Sequence, residues 1–350
     1  MARISVLSKQ EAKEFDEPPV FDSFDRKRFY DLTIALNNII TTLRTPENKV
    51  LFFVSYAYFK ARKRFYDGDF REKDMEYASL TLNIDYSLIK DKCSYDYKTK
   101  INHKSKILAL TDYSDFNDCN QEELNNRIYL LVKSYKSPRA IFTEMRDYLL
   151  HRKIALPRYR QFVNLISFQI QKYKSDIHEC LAKCLDNETK SQLNALLSQD
   201  DDKQYALRSL KRYNQSLRPG NIRENLDDFN RIKSLYILIE KPFKALDLNH
   251  DGAMYLTRFV ERNKILHLSQ RVDDTRHVSL IAFIAYQYFQ GHDILADILL
   301  QSVQSIKNGV QGYLKNQRAE NYAEQNQSLR NILAQTKSCL MPPLEQISGI

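Results

Sequence analysis

Tyr148–Lys174 reads YLLHRKIALPRYRQFVNLISFQIQKYK, and its punctuation decides the fold. A helical pattern runs in to about Arg152 and a longer one runs out from Pro157. Ile154-Ala155-Leu156-Pro157 joins them, and proline in a first helical turn sacrifices no backbone hydrogen bond. Phe162, Ile166, Ile170, Tyr173, Ile177, Leu181 and Leu185 recur at helical spacing and mark one face of the outgoing helix for a core. Between Arg152 and Lys174 stand six cations and no carboxylate. An apolar face on one side and uncompensated positive charge on the others predict a helical scaffold that leans on a polyanion.

The bulk numbers agree. The chain has 350 residues, room for two or three domains. Its formal net charge is +9 and its pI about 9.1, a balance that suits nucleic acid or another anionic surface. Seven glycines and nine prolines are few for the tight turns of a parallel α/β enzyme, which favours an all-α chain. The five cysteines at 93, 119, 180, 184 and 339 have no disulfide spacing, and no secretory pattern opens the chain. A reducing cytoplasm is expected. The longest apolar run, Val278–Phe289, is too short to span a bilayer.

Outward from the hinge, an N-terminal region (1–156, with a further split near 67–70) and a second helical region (157–326) are expected, followed by a polar, poorly ordered tail (327–350). Ser8 with Glu11 predicts a capping box. Helical patterning follows at 24–43 and 46–64. Residues 70–110 read as helix, turn, short helix, turn and basic helix, an order that places a last helix in a major groove. That last helix, near 95–110, bears Lys98, Lys100, His103, Lys104 and Lys106; the plainer reading is a solvated lysine face. Lys203–Arg223 holds six more cations, interleaved with Tyr205 and Tyr213, which suits phosphate contacts with ring packing beside them. Residues 273–290 are apolar on most faces and should be central, and 293–317 predicts a strongly amphipathic helix.

Three constellations suggest metals. Cys180, Cys184 and His178 could form half a site, but no second ligand pair follows at a zinc spacing, so small residues on a buried stripe is the better reading. Asp200-Asp201-Asp202 are adjacent and do not converge on one ion. Asp247, Asn249, Asp251 and Gly252 match the start of an EF-hand loop, yet Arg258 stands where a bidentate glutamate belongs, so a helix-to-helix loop is expected. No cofactor and no metal is assigned.

Several stretches, in order, resemble the N-terminal half of the Tn-three family of replicative transposases: Arg3-Ile-Ser-Val-Leu-Ser with Glu11, Asn48–Tyr56 with Tyr58-Phe59, Thr99-Lys100 with His103 and Ile107, Tyr148–Pro157, and Arg262–Leu266. The basic segment departs at Lys100 and Ile101, where the family pattern has arginine. The resemblance implies an all-α protein of helix-turn-helix-like DNA-binding bundles joined by long helices, gripping the terminal inverted repeats of a transposon. It also implies that the family's catalytic Asp-Asp-Glu domain lies outside this chain. Sequence-specific binding of double-stranded DNA without strand transfer is therefore the expected activity, of a truncated or stand-alone N-terminal region. Lys98, Lys104, Lys106, Arg158, Arg160, Lys211, Arg212 and Arg218 are the expected phosphate contacts, with Lys100 and His103 closest to the bases. A homodimer on DNA, nucleoid association and no membrane partner complete the expectation. The competing readings are a helical interaction scaffold and a non-specific nucleic-acid binder.

Overall fold

A computed structural model describes residues 6–67, 70–89, 95–198, 205–210 and 218–340. Among these residues the chain is all-α, with fifteen α-helices, one turn of 3-10 helix and no strand. It divides into two compact units, Met1–Leu185 with Pro242–Arg258, and Asp186–Lys241 with Phe259–Ile350. The expected boundary at 156/157 thus falls inside the first unit.

The first unit opens with α1 (Lys9–Asp16), α2 (Ser23–Phe29), α3 (Ile34–Thr41) and α4 (Pro46–Arg62). The predicted capping box is present on α1: Glu11 N donates to Ser8 Oγ and Ser8 N donates to Glu11 Oε2. The stretch 24–43 is two helices, because the Thr33 hydroxyl caps a fresh start by accepting from Leu36 N at 3.3 Å. In α4 every residue from Val50 to Phe59 is buried. A helix apolar all round belongs at the centre of a bundle, and α2, α3, α5 (Glu72–Thr81) and α6 (Tyr97–Thr111) pack around it. A 3-10 turn at Tyr86–Leu88 lies between α5 and α6.

A second core in the same unit joins α7 (Asp118–Lys133), α8 (Pro138–His151) and α9 (Tyr159–Cys184) to Val6 and Phe15. Phe15, Phe142, Tyr159 and Phe162 meet edge to face, with ring centroids 4.9–6.4 Å apart. The hinge read from the sequence is the seam between the two cores. Ala155 packs into the α4 core, while Ile154 and Leu156 pack into the α7–α9 core. That alternation is the period of an extended chain. The segment is stitched accordingly: Ser114 N donates to Lys153 O (2.8 Å), Ala155 N to Ser114 O (2.9 Å) and Leu156 N to Lys63 O (2.8 Å). Ser114 and Ile154 form an isolated parallel bridge.

The second unit contains α10 (Asn187–Ala195), α11 (Ala206–Ser209), α14 (Ile265–Ser269) and α15 (Asp273–Leu340), while α12 (Pro219–Leu246) and α13 (His250–Arg262) contribute to both units. Val278 to Ala285 is continuously buried, as its all-round apolar pattern predicts. Tyr288 stacks on Tyr236 at 4.1 Å and on Phe229 at 5.7 Å. The amphipathic helix and the part of the polar tail that is described, up to Leu340, were foreseen as separate and are one helix, and residues 303–337 of it are exposed. Among the described residues no helix is long and apolar enough to cross a membrane.

Candidate nucleic-acid interface

Several helices of the first unit end in the left-handed conformation, and three of those ends, at Lys63 (φ 57°), Asp112 (φ 57°) and Lys153 (φ 53°), meet at the hinge. These are the C-termini of α4, α6 and α8, and the hydrogen bonds of the hinge bring them together. Converging C-termini collect partial negative charge, which cations offset. Lys63 lies 5.3 Å over the Tyr113 ring, and burial beside Lys60 lowers its pKa. Lys153 pairs with Asp112, which raises the lysine pKa and lowers that of the carboxyl. Part of the positive charge around 152–153 is therefore structural.

The opposite polarity occurs where α9 begins. Arg158 is its N-cap residue and Arg160 lies in its first turn, both exposed. Arg158 pairs with the Asp67 carboxylate, and Lys100 on α6 donates to the Asp67 carbonyl at 2.8 Å. Lys104, one turn further along α6, pairs with Asp115 at 2.6 Å and lies 5.6 Å over Phe65. The residue 65–67 loop thus brings the basic side of α6 beside the positive end of α9. Asp67 and Asp115 offset part of this charge, but exposed pairs of this kind contribute only about 0–1 kcal/mol each and exchange readily for a phosphate partner. Lys106 and Arg160 form no ion pair with a carboxylate among the described residues, and Lys98 acts on the Asp96 carboxyl at the start of its own helix, helping to lower its pKa.

His103 is different. It is 1% exposed, its ring set edge-on to Phe52 at 5.2 Å, with Nδ1 3.1 Å from the Tyr95 hydroxyl. Tyr95 in turn meets the Ser55 hydroxyl at 3.2 Å and underlies Lys100 at 5.5 Å. His103 therefore positions Tyr95 and reaches no ligand surface, which corrects its expected place near the bases. Tyr95 and Asp67, which organise this corner, were not among the expected site residues. The available signal was the four-residue step from His103 to Ile107, which puts both on the buried stripe of α6.

Burial lowers the His103 pKa from 6.5 to about 4. Between those values the unfolded chain holds a proton that the folded chain does not, so stability is complete above about pH 6.5 and falls as pH drops towards 4. The expected loss is on the order of 3 kcal/mol. Denaturation midpoints from pH 7.5 to 4 should fall less steeply for His103→Asn than for the parent, and parallel slopes would assign the acid sensitivity elsewhere.

Of the other expected contacts, Lys211 and Arg212 lie outside the described residues, and Arg218 is exposed in the second unit. The three metal readings fare as follows. Cys180 and Cys184 are 3.8 Å apart, with Cys184 Sγ donating to Cys180 O. Asp200–Asp202 lie outside the described residues. Asp247 pairs with Lys133, and Asn249 caps α13 by accepting from Gly252 N. No group of three His, Cys, Asp or Glu side chains that could hold a metal occurs among the described residues.

Residues 6–168 match a family model described as a domain of unknown function, DUF4158. That domain is found in proteins associated with Tn-three-family transposases. No curated protein matches the chain. The DUF4158-like region takes in the α4 core, the hinge and the first turns of α9, so every side chain at the Asp67 corner lies within it.

Proposed function

We propose that the first unit binds duplex DNA at the ends of a mobile element, and that binding without strand transfer is the activity of this chain. The observation behind this reading is the meeting of α6, with four lysines and no carboxylate, and the arginine-bearing start of α9 at the Asp67 corner. Helix N-termini favour phosphate, and lysines beside them supply charge without needing base-specific geometry. The DUF4158-like match supports the same reading through the company that domain keeps. The helix-turn-helix part of the reading is looser, since residues 82–96 separate α5 from α6, more than the short turn of that motif allows.

The test is a gel-shift titration against salt, using a duplex of the element's terminal inverted repeat and a shuffled duplex of equal length. Lys98, Lys104, Lys106, Arg158 and Arg160 at phosphates predict a slope of log K against log salt of about −4 to −5. Affinity for the repeat should exceed that for the shuffled duplex throughout. A flat salt response would remove the phosphate contacts, and with them the reading.

A further inference from the structure

The exposure pattern along α6 separates two sets of residues that the sequence presents as one basic stretch. His103 and Ile107 are buried, while Lys100, Lys104 and Lys106 are half-buried at the flanks. Outward stand Lys98, Ile101, Asn102, Ser105 and Ala109, spaced by three and four residues along the helix. This outward stripe contains no carboxylate, and Ile101 is 50% exposed on it. The residues around its centre are short, apolar or amide-bearing, with lysines on both sides. An ordinary solvated helix face would carry mixed charge there.

We infer that α6 is the base-reading helix, with Asn102, Ser105 and Ile101 facing base edges in the major groove while Lys104 and Lys106 hold the flanking phosphates. The inference rests on the proposed DNA binding and names its specificity-determining residues. The dimensions agree, because a helix with its side chains measures about 10–12 Å across and the major groove is about 12 Å wide. The chemistry agrees as well. An asparagine amide can donate to and accept from adenine at once, a serine hydroxyl pairs with any base edge, and a branched apolar side chain covers a thymine methyl. Ala109 leaves the far end of the stripe low enough for the groove floor to approach. Asp96 places a carboxylate at the start of α6, but it is engaged by the helix's own amide, accepting from Thr99 N at 2.6 Å. Lys100 stands apart from this arrangement, held towards the Asp67 loop and away from the stripe.

Binding-site selection from a pool of randomised duplexes tests this, using the full chain, Asn102→Ala, Ser105→Ala and Lys104→Ala. The parent should select a defined sequence. Asn102→Ala should lose preference at one or two adjacent base pairs, keeping the rest. Its affinity for the parent's selected duplex should fall roughly 5- to 100-fold, the discrimination of one good base contact. Its affinity for a shuffled duplex and its salt slope should stay unchanged. Lys104→Ala should weaken both duplexes alike and reduce the slope by about 0.9. If the parent selects a sequence and both Asn102→Ala and Ser105→Ala select it equally well, α6 is not the reader, although DNA binding stands. If the parent binds DNA without selecting any sequence, this inference fails together with end recognition, and only duplex binding stands. If the parent binds no duplex, the proposed function fails and this inference with it.

Discussion

Asp74→Ala is expected to destabilise the first unit by about 3–5 kcal/mol, the cost of leaving one partner of a buried charge pair alone. Asp74 sits in the first turn of α5 with its side chain fully buried. Its Oδ1 accepts from Arg26 Nε at 2.9 Å, and a second Arg26 nitrogen lies 2.9 Å from the same oxygen. Its Oδ2 accepts from the Tyr58 hydroxyl at 2.8 Å. That hydroxyl accepts in turn from Arg71 N at 3.1 Å, and the Arg71 guanidinium donates to the Pro18 and Pro19 carbonyls. One carboxylate therefore ties α2, α4 and α5 together and, through Tyr58 and Arg71, fixes the Pro18-Pro19 segment. Alanine leaves the Arg26 guanidinium, only 20% exposed, without its acceptor. Burial beside Asp74 raises the Tyr58 pKa, so the phenol stays protonated and loses its acceptor as well. Asp74→Asn keeps the shape and loses only the charge, so a smaller loss, about 1–3 kcal/mol, is expected. Urea titrations of the two variants against the parent provide the measurement. A loss below about 1 kcal/mol for Asp74→Ala would place that carboxylate in water.

Much of this was legible in the sequence, and the reasons differ by residue. The Ser8–Glu11 capping box and the all-round apolar pattern at 273–290 are local patterns, which the chain obeys wherever tertiary context does not oppose them, while Pro157, read as part of a first helical turn, stands just before the Arg158 N-cap of α9. The hinge was legible as a break, while its role as a seam was not. Nothing local indicates that Ala155 turns to one core and its neighbours to another. The Asp74 network escaped for a related reason, since Arg26, Tyr58 and Asp74 come from three different helices and meet only after packing. At the candidate interface, the net positive charge of α6 was legible, but assigning each residue to a face needed the helix's orientation. That orientation moves His103 inside and leaves Asn102 and Ser105 outward. The charge around Lys153 also looked freer than it is, because Asp112 lies 41 residues away in the chain and the converging helix ends are invisible before folding.

The EF-hand-like stretch gives the sharpest case of a motif answered by packing. Gly252→Ala is expected to cost about 1–3 kcal/mol, the range for forcing extra volume into a packed contact, and the upper end is the better expectation here. A Cβ at residue 252 would stand 2.3 Å from the Lys133 carbonyl oxygen and 2.8 Å from Asn249 Oδ1. The first of these is backbone at the end of α7 and cannot rotate away. The second is the cap that accepts from Gly252 N at 2.8 Å, so moving it uncaps α13. The start of α13 is also pinned by Lys133–Asp247 at 2.8 Å, by Asn249 Nδ2 donating to Ser134 Oγ at 2.8 Å and by Tyr255 stacked on Tyr135 at 4.9 Å. Relief of the clash must therefore strain several contacts together. An EF-hand glycine is required for its backbone turn, whereas this one lies inside a helix and is required for lack of volume. The two causes are separable by experiment. Gly252→Ala should lower the melting temperature equally with millimolar calcium and with chelator, and a stabilisation of the parent by calcium that the variant lacks would restore the metal-loop reading.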